Sequence, residues 1–104
     1  MTELKSNQET KYKCRREINL FRKISIPGHV ILSETSVTFE PLAPIYPLYL
    51  DTFRFREMRN VECHKSFNHY HLSFDYHKES VTIRSIKDKG VIDEIMKRSQ
   101  LTNR

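Results

Sequence analysis

Ile26-Pro27-Gly28-His29-Val30-Ile31-Leu32-Ser33-Glu34-Thr35-Ser36-Val37-Thr38-Phe39-Glu40-Pro41 carries the clearest local signal in the chain. Pro27-Gly28 is a turn dipeptide and should close whatever strand precedes it. His29–Ser33 is a short apolar run, Glu34-Thr35 suits a tight turn, and Val37 and Phe39 alternate with polar neighbours. Residues 29–39 therefore read as a β-hairpin. Upstream, Ile18, Leu20, Ile24 and Ile26 share one parity, with Arg22 interrupting, which predicts an extended strand from Glu17 to Ile26. Residues 1–11 are polar and without periodicity, so they read as a flexible tail before a domain at residues 12–101, with 102–104 as a second tail.

Downstream of the hairpin, Pro41 to Pro47 contains three of the four prolines and predicts a stiff, irregular loop. Leu48 to Arg56 is β-like, with Phe53 and Phe55 on one face and Arg54 and Arg56 on the other. Arg59-Asn60 suits a turn, and Val61–Ser66 suits another strand. After a corner at Phe67-Asn68-His69, the residues Tyr70, Leu72, Phe74 and Tyr76 alternate with His71, Ser73, Asp75 and His77, and Val81 and Ile83 mark the next strand. The ending changes period. Asp88 is placed to cap a helix, and Val91, Ile92, Ile95 and Met96 form one apolar stripe at helical spacing, followed by Lys97 and Arg98 in the last turn. The expected class is mostly β, about seven antiparallel strands with one C-terminal helix.

The 104 residues suit one domain. Its formal charge is +5, and residues 1–23 hold seven Lys or Arg against three Glu, so the excess sits in the first quarter of the chain. That points to acidic partners such as phospholipid headgroups, nucleic acid or an acidic protein face. Cys14 and Cys63 are far apart and unpatterned, and no apolar run approaches the ~20 residues of a membrane span. A reducing, cytoplasmic setting with both thiols free is the expectation, with peripheral membrane attachment open to a basic chain.

The Ile26–Pro41 segment resembles the GRAM-type signature of pleckstrin-homology-like (PH-like) domains: a Gly, an apolar strand, a Thr/Ser turn, then an apolar residue and a Phe that close a hairpin. Phe55-Arg56-Glu57-Met58-Arg59-Asn60-Val61-Glu62 looks like the segment where such domains begin their second sheet. Cys14-Arg15-Arg16, Pro27 to Val30 and Phe39 to Leu42 come in the order found in the PH-like segment that precedes BEACH domains in scaffolds of the factor-associated-with-neutral-sphingomyelinase type. The resemblance covers residues 12–100 and implies a seven-stranded split barrel plugged by a helix. It also implies binding of phosphoinositides or docking to proteins and neighbouring domains. The basic pattern of strong phosphoinositide binders is not evident here, since only Arg22 and Lys23 precede Pro27-Gly28.

Candidate anion- or lipid-binding residues are Lys11, Lys13, Arg15, Arg16, Arg22 and Lys23, with Arg54, Arg56 and Arg59 as a second patch. Ile45, Tyr46 and Tyr49 on the proline loop are candidates for protein docking, because rings on a stiff loop lose little entropy on binding. Cys63, His64, His69, His71 and His77 lack a second compact pair at zinc-ligand spacing and read as polar outer-face residues. His71, Ser73 and Asp75 supply triad residue types, but along a strand they point in parallel and do not converge. No Gly-x-Ser-x-Gly elbow or Gly-rich phosphate loop occurs. The expected function is a non-catalytic adaptor with no cofactor and no small-molecule substrate. It would dock to protein and weakly to anionic lipid. The alternative is a small basic nucleic-acid-binding protein, in which Phe53, Phe55, Tyr70 and Tyr76 would have to stack bases beside Arg54 and Arg56.

Overall fold

The computed structural model describes residues 10–19, 21–42 and 50–102, with side chains described as far as residue 100. Seven strands, β1 (Lys11–Asn19), β2 (Lys23–Leu32), β3 (Ser36–Pro41), β4 (Asp51–Arg54), β5 (Met58–Ser66), β6 (His69–Tyr76) and β7 (Glu79–Ile86), precede one helix, α1 (Lys89–Thr102). They form a single antiparallel sheet in the order β4-β3-β2-β1-β7-β6-β5. The sheet curls into a half-barrel capped by the helix, the plan of a PH-like split barrel.

Two sequence expectations change at the first hairpin. Residues 17–26 are not one strand, because the chain reverses between Asn19 and Lys23. The shared parity survives that reversal because Ile18 lies opposite Ile24 and Arg16 opposite Ile26, so the even positions of both strands face the same side. The second change is at Pro27-Gly28, which lies inside β2 and is not a turn. The Leu42 N–H donates to the Pro27 carbonyl at 2.9 Å, so the main-chain polar positions of Pro27 face β3, which ends one residue earlier, at Pro41. A missing N–H is tolerated there because the ladder is running out. At Gly28 the chain needs an absent side chain, since a Cβ would sit 2.7 Å from Phe39 Cζ and would also strike the Glu40 carbonyl.

The β2–β3 hairpin forms as its sequence indicates. Ser33 turns the chain, its N–H donating to Ser36 O at 2.8 Å while its Oγ accepts from Ser36 N–H at 3.0 Å. Two further expectations are corrected. Leu48–Arg56 is not one strand, because β4 stops at Arg54 and Phe55–Glu57 forms a 3-10 turn. Arg59-Asn60 is not a turn either. It lies within β5 at a register shift, with Asn60 at φ 52. A bulge of this kind bends a strand without ending it.

The core is the inner face of the curl. Val30, Val37, Phe39, Phe55, Leu72, Phe74 and Ile83 are buried together with Val91, Ile92 and Ile95 of the helix. The alternation in β6 is realised, with Leu72 and Phe74 buried and Tyr70 and Tyr76 half-buried. Phe53 meets Phe74 edge-on at 5.2 Å and Tyr76 at 5.0 Å. Asp88 caps α1, its Oδ1 accepting from the Gly90 N–H at 2.8 Å. Arg98 bonds the Ser33 carbonyl and Glu94, which ties the helix to the β2–β3 turn.

Cys14 is buried and Cys63 half-buried, and both are free. Burial pushes the Cys14 thiol up to about 12 from an ordinary 9.0. Burial, and to a lesser extent Asp93, raises Cys63 as well. Because the thiolate is the reactive form, Cys14 should hold about a thousandfold less of it near neutral pH than a free thiol does. Titration with an aromatic disulfide reagent at pH 8 should find Cys14 silent in the folded protein and both thiols reactive in denaturant. Rapid modification of Cys14 without unfolding would contradict this account.

Candidate functional site

β1 sorts the basic residues by parity. Lys11, Lys13 and Arg15 are exposed, whereas Cys14 and Arg16 on the other face are buried. Arg16 therefore leaves the candidate anion site. Arg16 as a whole is 7% exposed, and its guanidinium pairs with Asp51 and lies 5.2 Å from the Phe53 ring centre and 5.9 Å from that of Phe39. In sequence it stands no differently from Arg15, since periodicity alone does not say which charged residue will be buried against an acid.

Two of the exposed cations of β1 have protein partners: Lys11 pairs with Glu40 at 2.9 Å, and Arg15 Nε donates to Ser25 Oγ at 2.9 Å. Arg22 and Lys23 are exposed where β1 turns into β2, beside Phe21, whose ring is fully exposed. β3 ends opposite Gly28, so the first five residues of β2 have no β3 partner in register and the hairpin tip stands clear of β3.

Arg54, Arg56 and Arg59 do not form one alternating row. Arg54 is on β4, Arg56 in the 3-10 turn and Arg59 on β5. Arg59 Nη1 donates to the carbonyls of Arg56 at 3.0 Å and Met58 at 3.1 Å, so it holds the turn together. The same corner ties β4 and the 3-10 turn to the end of β6. The Arg54 N–H donates to Tyr76 Oη at 3.1 Å, and that hydroxyl donates to Glu57 at 3.0 Å. His77 Nε2 lies 2.7 Å from the same Glu57 oxygen.

The His77 and Tyr76 hydrogen bonds hold the Glu57 carboxyl below its ordinary 4.5. A depressed folded-state value means stability that is present above the ordinary value and lost as pH falls through the folded one. Glu57→Gln should therefore be less stable than the parent above pH ~5, with the gap closing as pH falls below ~4. Thermal midpoints of the two proteins across that range measure it. A gap that persists unchanged at the acid end would show that the carboxylate charge is not the cause.

The histidine-rich face separates into unconnected roles. His71 Nδ1 accepts from the Ser85 N–H at 3.4 Å, and burial, with Arg84 next, lowers its pKa from 6.5. Asp75 accepts from Asn60 Nδ2 at 2.8 Å, so it is engaged away from His71 and Ser73. Among the described residues, no three His, Cys, Asp or Glu converge as metal ligands, and no helix is long and apolar enough to cross a membrane. Ile45, Tyr46 and Tyr49 lie outside the described residues.

A group of residues that the sequence does not connect meets where β1 and β7 part. Lys13 and Arg15 from β1, His29 from β2, His69 from β6 and Lys87 after β7 line a cleft of about 310 Å³. Their separations along the chain hide the grouping, and no local pattern points to it. No protein-family model matches the chain, and no curated protein matches it.

Proposed function

We propose that this chain is a non-catalytic, GRAM/PH-like adaptor that rests on anionic membrane surfaces through the tip of its first hairpin and docks to protein elsewhere. The observation that carries the reading is the fully exposed ring of Phe21 beside the exposed cations Arg22 and Lys23. A ring at such a tip can enter the interfacial layer while each adjacent cation contributes about 1 kcal/mol at an anionic surface. Leu42 and Leu50, exposed at the two ends of the proline loop, favour an apolar protein contact there. The nucleic-acid reading has less support, because Phe53 and Phe55, two of the rings it needs for stacking, are buried.

Vesicle flotation with and without phosphatidylserine tests the reading. The parent protein should float with the anionic vesicles. Arg22→Gln with Lys23→Gln should weaken binding by about 2 kcal/mol, roughly thirtyfold. Phe21→Ala should weaken it without changing the fold. Equal flotation of all variants, or of neutral and anionic vesicles, would overturn the proposal, and salt-sensitive binding to single-stranded DNA without vesicle binding would favour the alternative.

A further inference from the structure

The geometry points to a second site at the fork between β1 and β7, fitted to an extended acidic peptide that carries a phosphate monoester. β1 pairs with β7 over Arg15, Arg16 and Glu17, and Lys11–Cys14 have no β7 partner in register. The parting is built into β7. Leu72 faces Ile83 but Tyr70 faces Ile86, so β7 carries an extra residue, and Ser85 there adopts φ 63. The extra residue also moves the buried positions of β7 from 81 and 83 to 86. A bulge in an inner strand re-aims the chain and leaves a stretch of neighbouring strand edge open to another backbone.

The walls of the fork are basic. Its lining includes Lys13, Arg15, Lys87, His29 and His69 and no carboxylate. The acids closest in register are engaged by other cations, Glu40 by Lys11 and Glu17 by Arg84 at 3.0 Å. Arg15 faces Arg84 across the strands, a like-charge pair in which Glu17 neutralises only Arg84. Among the described residues, no carboxylate pairs with Lys13, Arg15 or Lys87. A phosphate monoester, carrying nearly two charges and three acceptor oxygens, is matched to several cations converging from different strands.

The choice of a peptide over a lipid rests on the membrane reading above, whereas the basic fork does not. Lys13 and Lys23 stand at opposite ends of the first hairpin, with Lys13 opposite His29 and Lys23 opposite Asn19. Lys13 and Asn19 are six steps apart along the strand, about 20 Å at ~3.3 Å per residue. A domain seated on the bilayer by Phe21 holds the fork away from it, within reach of a partner in solution. The unpaired β1 edge adds main-chain partners that a headgroup cannot use but an extended peptide can.

A fluorescein-labelled peptide with one phosphoserine flanked by Asp and Glu, titrated by anisotropy and by amide shifts of the full chain, tests the assignment. The phosphopeptide should bind at least tenfold more tightly than its unphosphorylated form and shift the amides of Lys13, His69, Ser85 and Lys87. Lys13→Gln and Lys87→Gln should each weaken it by tenfold or more. Lys78→Gln, an exposed cation of the β6–β7 turn, should leave it unchanged, with circular dichroism confirming the fold of each variant. Phe21→Ala should weaken flotation and spare peptide binding, so failure of the membrane reading and failure of the fork are separate results. Three outcomes overturn the assignment: Lys13→Gln and Lys87→Gln bind as the parent does; inositol trisphosphate or inorganic phosphate fills the fork more tightly than the peptide; or a single-stranded oligonucleotide does.

Discussion

Phe39→Ala is expected to lower the free energy of unfolding by about 3–5 kcal/mol, the range for emptying a fully buried ring. Phe39 has no exposed surface, and its ring lies against Gly28 and near the Arg16 guanidinium. It thus fills the space that a side chain at position 28 would otherwise take. A domain of this size has roughly 5–15 kcal/mol in all. The loss therefore takes a large share, corresponding to a fall in Tm on the order of 15–30 °C. Collapse of the walls would require β2 to approach β3 more closely, and the two strands already meet where no Cβ fits. Phe39→Leu should cost less, and Gly28→Ala should cost about 1–3 kcal/mol by overpacking. Gly28→Ala and Phe39→Leu should together cost less than the sum of the two, since they share one contact. Urea unfolding of the parent and the four variants measures this. A Phe39→Ala protein within about 1 kcal/mol of the parent would mean that the ring is not packed as described.

The second large effect is an asymmetry between Arg16 and Asp51. Asp51→Ala should destabilise by about 2–3 kcal/mol, less than the ~3–5 kcal/mol of a fully buried pair because Asp51 is partly exposed and its charge is already screened. The cost arises because the guanidinium remains buried over Phe39 and Phe53 after its carboxylate is gone. Arg16→Met replaces the long stem with an apolar one of similar reach and leaves Asp51 to solvent. It should be near neutral, within about 1 kcal/mol, or stabilising. Chemical denaturation of both variants decides the matter, and Asp51→Ala as stable as the parent would be falsifying. The same pair of variants separates structure from binding, since neither should change vesicle flotation.

Much of the local structure was legible. Alternation at Val37 and Phe39 and at Leu72 and Phe74, the rings of Phe53 and Phe55 turned inward, and the capped helix from Asp88 all depend on residues a few positions apart. Period and capping are local properties of a chain, so sequence carries them. The candidate basic residues were legible as types, but neither the strand that carries Lys11, Lys13 and Arg15, which begins at Lys11 where the sequence indicates one only from Glu17, nor their groupings could be read.

The hairpin from Ile26 to Pro41 shows where local reading ends. The sequence determined the hairpin from residue 29 on, with a tight turn at Glu34-Thr35 and with Val37 and Phe39 on one parity. Tertiary structure decided that Pro27-Gly28 runs straight through β2, because β3 ends beside that point and Phe39 covers it. Tertiary structure also buried Arg16 against Asp51, 35 residues away, and brought Lys13, Arg15, His29, His69 and Lys87 from three strands and a following segment to one fork. The physical reason is the same in each case. A strand fixes which of its side chains share a face, but the partner across that face is chosen by ladder order, strand length and bulges elsewhere in the chain.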